Sequence, residues 1–306
     1  MSDLWAVTAV FNPAGYRSRE ENYRVFRERL AAPLVAVELD CGGSFLRKGD
    51  AERVVRVRDG DVLWQKERLL NLALGHLPPE CRYVVWLDAD LVFDNDDWIE
   101  RTRAALAQRP LVQAFSTARH LRRGADPGSR VPGDILLTRE SMAVKHARGE
   151  LDFAALAAGA APDFSTGLAW AMRRELIERV GFYDAAVIGG ASLLMGAAAV
   201  GEIEAIVRRF KMSSREAEHA RRWARFYQEA AGGDLGFAEG GVAHLWHGDR
   251  GKRGYGTRFA LLESAAFDPE SDLVLGPEGA WLWASEKPQL HEGLRRYFSS
   301  RCEDGD

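Results

Sequence analysis

Asp88 and Asp90 are two carboxylates separated by the single small residue Ala89, and they follow directly on the apolar run Tyr83-Val84-Val85-Trp86-Leu87. A fully apolar run of this length suits a strand buried on both faces of a parallel sheet, and an open α/β sheet places its ligand at the carboxyl end of such a strand. If extended geometry persists, side chains two apart point the same way. Two hard oxygen donors on one face suit magnesium or manganese carrying a diphosphate, whereas a D-x-D taken alone equally well closes a turn. A second constellation comes late, in Gly241-Val242-Ala243-His244-Leu245-Trp246-His247-Gly248-Asp249-Arg250-Gly251-Lys252-Arg253. His244 and His247 are three apart, a spacing that at a strand-to-turn transition can bring both imidazoles to one metal, and Lys252, Arg253 and Arg258 follow as phosphate-binding cations. Either histidine alone would read as a core or surface residue; the pair with its basic, glycine-rich sequel reads as a ligand segment.

The elements that must position these groups alternate. Residues 4–11 are an apolar run ended by Asn12-Pro13-Ala14-Gly15, a first strand and its turn. Tyr23, Phe26 and Leu30 then have helical spacing over residues 22–30, and Pro33 closes that helix. Residues 34–39 and 53–57 read as strands, the former ending in Asp40. Leu69, Leu70, Ala73 and Leu74 give residues 64–74 a helical face, and Pro78-Pro79 stops it before the strand leading to Asp88. Such alternation predicts a mostly parallel sheet. Beyond it come a helix over residues 98–108, with the acids of 94–97 as its caps, and a strand over 111–115. Residues 122–133 read as a mobile Arg/Gly/Pro-rich loop, 154–161 as low complexity, and 164–172 as small residues leading into a strand, followed by a helix over 173–180. Residues 214–231 form a long helix with capping-box spacing from Ser213 to Glu216, whose Trp223 and Tyr227 read as packing. This helix and the 122–133 loop are expected to shape an acceptor pocket.

Composition narrows the class. The chain has 306 residues and a formal net charge of −4, which argues against a general nucleic-acid binder. Its three cysteines, Cys41, Cys81 and Cys302, are widely spaced and form no C-x-x-C pair, which suits a reducing, cytoplasmic setting. No basic-then-apolar leader opens the sequence, and no run of about 18 apolar residues predicts a membrane span.

Taken together, the order of first strand, acid at the second strand end, helix, D-x-D, small-residue strand and late histidine resembles the nucleotide-sugar-binding GT-A fold of glycosyltransferases, over about residues 4–258. Within it, Trp64-Gln65-Lys66-Glu67-Arg68-Leu69-Leu70-Asn71 before the D-x-D is similar to the corresponding helix of the family 7 galactosyltransferases. His244-Leu245-Trp246-His247 resembles their Met-x-x-His metal segment, with histidine in place of methionine. Family 2 glycosyltransferases and the polypeptide GalNAc-transferases share the general plan.

The resemblance implies an α/β, Rossmann-like GT-A fold with a mostly parallel central sheet flanked by helices. It implies one domain over residues 1–270, with a nucleotide-binding half (1–120) and an acceptor half (121–270), and a C-terminal extension over 271–306. It further implies metal-dependent, inverting transfer from a nucleoside-diphosphate sugar, a UDP-sugar by preference, to a glycan, lipid-linked or protein acceptor. Asp90, His247 and His244 would hold manganese or magnesium, and Asp88 would lie at the donor ribose or a metal-bound water. Phe11 and Asn12 would border the base and ribose, Asp40 would accept from them, and Arg17 and Lys66 would meet the diphosphate, with Lys252, Arg253 and Arg258 as further phosphate partners.

One departure stands out. Where the family 7 enzymes follow Gly-Gly with acids that include the catalytic base, this chain reads Gly189-Gly190-Ala191-Ser192-Leu193-Leu194. Ser192, which also reads as a helix N-cap, cannot deprotonate a sugar hydroxyl at neutral pH. Asp163 and Asp184 are the acids nearby. A relocated base, an acceptor needing little help, and a non-catalytic or lapsed nucleotide-sugar-binding protein are the three readings, in that order. A haloacid-dehalogenase-type phosphatase would need a Gly-Thr turn after its D-x-D, and a nucleotidyltransferase would need a glycine-rich loop after the first strand; neither is present.

Overall fold

The computed structural model describes residues 2–305. In chain order it opens with β1 (Leu4–Phe11), α1 (Arg17–Arg29), β2 (Leu34–Leu39), β3 (Arg53–Val57), α2 (Lys66–Leu74), β4 (Tyr83–Leu87), β5 (Leu91–Phe93), α3 (Trp98–Leu106) and β6 (Leu111–Gln113). There follow β7 (Thr117–Leu121), β8 (Ile135–Glu140), α4 (Met142–Ala147), α5 (Phe153–Ala157), β9 (Ala169–Arg173), α6 (Arg174–Val180), α7 (Ala191–Ala199), α8 (Ile203–Phe210), α9 (Ser214–Ala231), β10 (Gly236–Phe237) and β11 (Gly241–His244). The chain continues through α10 (Ala260–Ser264), α11 (Pro269–Asp272), β12 (Leu273–Leu275), β13 (Trp281–Trp283) and α12 (Pro288–Ser299).

The central sheet has seven strands in the order β10-β6-β9-β4-β1-β2-β3. β1 pairs in parallel with β2 and β4, β2 with β3, and β6 with β10, while β9 runs antiparallel between β4 and β6. This is the mostly parallel, helix-flanked sheet that the alternation predicts. Side chains of successive residues go to opposite faces. Val7, Val84, Trp86, Trp170 and Met172 accordingly pack with α2, α7, α9 and α12, and Leu4, Val10, Val85, Leu87 and Ala171 pack with α1 and α3. Burial on both faces explains why β1 and β4 read as continuous apolar runs rather than alternating ones.

A second sheet, β5-β11-β7-β8, matters most for the site. β11 pairs antiparallel with β5, placing His244 opposite Leu91, and parallel with β7, placing His244 opposite His120. The Leu245 N–H donates to the Asp90 carbonyl at 2.8 Å, so the residues after the D-x-D and the histidine segment are stitched together.

Several boundaries differ from the sequence expectation. α1 begins at Arg17 because the Asp304 carboxylate accepts from the N–H groups of Arg17 and Ser18 at 3.1 and 2.8 Å, a cap delivered from the far end of the chain. The stretch after residue 152 is helical where only low complexity was legible, with Asp152 accepting from the Ala155 N–H at 2.8 Å. β9 starts at Ala169, after the small residues that lead into it, and Leu168 just before it takes φ +73°. Asp97 does not cap α3 with its side chain but pairs with Arg101 at 2.8 Å, and Asp94 is held by Arg119 at 2.6 and 2.9 Å. The Trp223 and Tyr227 rings stack at 4.5 Å, as packing partners should. The three cysteines are free thiols, and among the described residues no helix is long and apolar enough to cross a membrane.

Candidate functional site

Asp90, His244 and His247 converge, each offering a ligand atom within 4.8 Å of the others. His244 Nε2 lies 3.4 Å from Asp90 Oδ1, His247 Nε2 lies 3.3 Å from Asp90 Oδ2, and the two Nε2 atoms are 3.0 Å apart. Asp90 Oδ1 is buried and accepts no hydrogen bond, which a bound cation would remedy. Burial alone would raise the Asp90 pKa, but the facing imidazoles of His247 and His244 and the Arg253 guanidinium hold it well below the usual carboxylate range. Burial, aided by Arg253, lowers the His247 pKa to about 3, so its ring is neutral and has a lone pair to give. The set of one carboxylate and two imidazoles thus fits a divalent cation of manganese type.

Behind these ligands stands a shell that the sequence did not announce. His244 Nδ1 is 2.7 Å from Nδ1 of His120, whose own protonation is opposed by burial and by the neighbouring His244, Arg250 and Arg139. A neutral His120 accepts the His244 Nδ1–H and leaves Nε2 free toward Asp90. On the other side His247 Nδ1 faces the fully buried Glu303 at 4.0 Å. Glu303 also receives Arg19 at 2.7 Å and Arg301 at 2.7 Å. Despite its burial, Arg19, His247 and Arg301 keep it well below the ordinary carboxylate range. Residues after 288 therefore help to build the centre: Phe298 stacks with Trp64 and meets Phe11 edge-on, at 6.3 and 5.9 Å.

The D-x-D carboxylates part company. β4 ends at Leu87, and Asp88 to Asp90 form a turn rather than continuing extended. Asp88 pairs with Lys66, the first residue of α2, and accepts from the Leu168 N–H at 3.1 Å while its own N–H donates to the Leu168 carbonyl at 2.8 Å. Leu168 thus owes its left-handed backbone to a two-way clasp on Asp88, a strained conformation of the kind that clusters at functional sites.

Asp88 and Asp90 open into a cavity of about 430 Å³, within the range for small-molecule sites. Of the residues expected at a donor site, Phe11, Lys66, Asp88, Arg253 and Arg258 line it, as do all three metal-ligand candidates and Ser192. Arg253 donates to the His247 carbonyl at 3.1 Å, and Arg258 to the Tyr297 hydroxyl at 3.0 Å. Others lie elsewhere. Asn12 spends its side chain on the Tyr16 backbone, Arg17 is exposed at the start of α1, and Lys252 is exposed in a short 3-10 turn. Asp40 accepts from the N–H groups of Gly42 and Gly43 at 3.0 and 2.9 Å, folding its own loop outside the cavity. Arg19, two residues beyond Arg17, is the α1 guanidinium that reaches the cavity wall.

The acid positions redistribute as well. Asp163 is 73 % exposed and pairs with Lys145 at 3.4 Å, while Asp184 is held by Arg68 and Asn71 at 3.0 and 2.9 Å; neither lines the cavity. Ser192 is the second residue of α7, whose N-cap is Gly190 at φ +99°, so it is not the cap that its sequence suggested. A Cβ on Gly189 would come within 3.3 Å of the Trp64 ring and one on Gly190 within 2.9 Å of Phe210, so both glycines are needed for this close turn. Neither the 122–133 loop nor α9 lines the cavity, contrary to expectation; residues 159–168, 189–193 and 250–259 do.

A carboxylate that sequence reasoning passed over does line it. Glu67 is 4 % exposed and accepts from the Trp64 Nε1–H at 3.2 Å. Burial pushes its pKa up to about 7, against the lowering influence of Lys66. The signal was present: Glu67 sits three before Leu70 and seven before Leu74, on the apolar stripe of α2. His120, Arg19, Arg301 and Glu303 carried no comparable local signal.

No protein-family model matches the sequence, and no curated protein matches it. Among solved structures, the chain is similar to S. aureus TarS in complex with UDP-GlcNAc, at 10% identity over 80% of this chain and 58% of that one, with a TM-score of 0.40. It is also similar to glucosyl-3-phosphoglycerate synthase from Mycobacterium tuberculosis in complex with Mn2+, UDP and phosphoglyceric acid, at 16% identity over 89% of this chain and 81% of that one, TM-score 0.38. A third is the catalytic domain of Drosophila β1,4-galactosyltransferase 7 complexed with xylobiose, at 12% identity over 78% and 65%, TM-score 0.33. The match spans less than two thirds of the TarS and galactosyltransferase chains.

Proposed function

We propose that the protein transfers a glycosyl group from a nucleoside-diphosphate sugar, a UDP-sugar by preference, to an acceptor hydroxyl with inversion, using manganese or magnesium at Asp90, His244 and His247. The observation that carries this reading is the convergence of those three ligands, with the orphaned Asp90 Oδ1, at the carboxyl end of the sheet beside Lys66 and Arg253. A cation held there would neutralise diphosphate oxygens as the nucleotide leaves.

The chain's own residues supply the rest. Phe11 offers an apolar wall to the nucleoside, Lys66 orients Asp88 toward the ribose, and Arg253 and Arg258 meet the developing negative charge. The acceptor oxygen attacks the anomeric carbon as its bond to the diphosphate breaks, and the acceptor proton passes to a carboxylate. Three carboxylates line the cavity: Asp90 is committed to the histidines, Asp88 to Lys66 and Leu168, and Glu67 remains. Glu67 is therefore the relocated base. The acceptor is a glycan, a lipid-linked group or a protein side chain.

The second reading, a nucleotide-sugar binder without transfer activity, is favoured by the serine at position 192 and by the outward placement of Asp163 and Asp184. Isothermal titration with a panel of nucleoside diphosphates, with and without manganese, tests the shared part of both readings. Binding of UDP that requires manganese is expected; absence of binding by every nucleotide, with or without metal, overturns both. Turnover of a UDP-sugar panel then separates the enzyme from the binder.

A further inference from the structure

Eight cationic side chains line the cavity against the three carboxylates Glu67, Asp88 and Asp90. Lys66 is paired with Asp88, and Arg19 and Arg301 with Glu303. Five arginines remain, and among the described residues none of them has a carboxylate at ion-pair distance. Arg209 spends donors on the carbonyls of Leu156 and Ala160, Arg253 on that of His247, and Arg258 on the Tyr297 hydroxyl. The Arg139 and Arg250 side chains make no hydrogen bond to any described residue; that of Arg250 lies over the Tyr255 ring, 5.9 Å from its centroid. Both are half-buried, on β8 and just after the histidine segment. Burial and the charge of Arg250 lower the Arg139 pKa, opposed by the exposed Asp163 carboxylate, which is paired with Lys145 and stays beyond ion-pair distance of Arg139. Holding like charges together where both are half-buried is unfavourable unless a ligand of opposite sign completes the site.

The donor does not account for this surplus. The two negative charges of a nucleoside-diphosphate sugar are matched by the two positive charges of its cation, and Lys66, Arg253 and Arg258 already attend that side. Arginine is also the side chain suited to forked contact with phosphate oxygens.

We infer that the acceptor carries a phosphate group beside its reacting hydroxyl, and that Arg139 and Arg250 hold that phosphate on the His120 side of the cavity. The inference rests on the glycosyl-transfer reading and adds to it the acceptor's chemical class. Arg139 and Arg250 position the acceptor and take no part in binding the nucleotide.

The test uses the full chain saturated with manganese and UDP, titrated calorimetrically with inorganic phosphate, glycerol 3-phosphate and glycerol. The phosphate-bearing probes are expected to bind and glycerol is not. Arg139→Gln and Arg250→Gln should each weaken phosphate binding about tenfold or more, the scale of a lost hydrogen bond to a charged group, and leave the UDP affinity unchanged. Arg139→Lys should recover part of the loss, and melting curves confirm that the variants are folded. Co-sedimentation with phosphatidylglycerol vesicles, against phosphatidylcholine, identifies the source: retention lost in the same variants assigns the phosphate to a lipid headgroup, and soluble binding alone assigns it to a free phosphorylated compound. Wild-type affinity in both glutamine variants overturns the inference, as does phosphate that binds only when UDP is absent, since the cluster would then serve the donor. The two readings fail separately: without UDP binding the transfer reading falls, while phosphate binding lost in both variants would still establish the anion site.

Discussion

Nδ1 of His120 and Nδ1 of His244 are 2.7 Å apart, with their ring planes at 85°. Only one of the facing nitrogens can carry a proton: a His244 that presents a bare Nε2 to a metal carries its proton on Nδ1, and His120, kept neutral by burial and surrounding cations, accepts it and fixes that tautomer. Partners of this type commonly contribute ten- to hundredfold to metal affinity. His120→Ala should weaken manganese binding by about that factor in a direct metal titration, with Asp90 and both ligand histidines intact. An unchanged affinity would remove His120 from the metal shell.

Removing the carboxylate at the centre of the cluster should act more severely. In Asp90→Asn, manganese is expected to lose both its thermal stabilisation of the protein and its support of UDP binding, because the neutral amide cannot neutralise the cation. Full-strength, metal-independent nucleotide binding by the variant would show that the donor sits elsewhere.

The Trp64–Glu67 contact gives a kinetic prediction. With a pKa of about 7, the Glu67 base is protonated and idle below that pH, so the transfer rate should climb through about pH 7 and level off above it. Glu67→Gln should reduce kcat by about 10²–10⁴-fold, abolish that rising limb and preserve UDP and manganese affinity. Asp163→Asn and Asp184→Asn should have little effect on kcat, since neither side chain lines the cavity. Loss of transfer in either aspartate variant with full activity in Glu67→Gln would reassign the base.

Glu216, 4 % exposed in the first turn of α9, gives a pure stability prediction. Burial raises its pKa from 4.5 to about 8. Between those values the folded protein holds a proton that the unfolded chain has released, so this group's contribution to stability is present at low pH and is lost as pH rises. Glu216→Gln removes the penalty, and at pH 9 the variant should be more stable than wild type by a few kcal/mol, on the order expected from the shift, with the difference vanishing near pH 4. Urea unfolding at the two pH values measures it; parallel profiles for the two proteins would contradict the assignment.

The sequence by itself determined the elements whose signals are local. β1, β2, β3, α2 and β4 lie where apolar runs, helical spacing and proline stops put them, because period and turn chemistry act within a few residues. The D-x-D and the paired histidines were legible for the same reason: each is a short cluster whose residue types restrict its chemistry. Glu67 was legible too, as a carboxylate on an apolar stripe.

Tertiary structure alone decided who meets whom. His120 reaches His244 across 124 residues through the β7–β11 register, and Arg19 reaches Glu303 across 284, so no local pattern reports either. The same holds for the Asp304 cap that starts α1 early. Asp184 and Asp40 looked available in the sequence, yet one is taken by Arg68 and Asn71 and the other by its own loop's N–H groups. A buried or half-buried carboxylate takes the nearest donors that the fold supplies, and those donors are set by strand register and helix packing rather than by sequence distance.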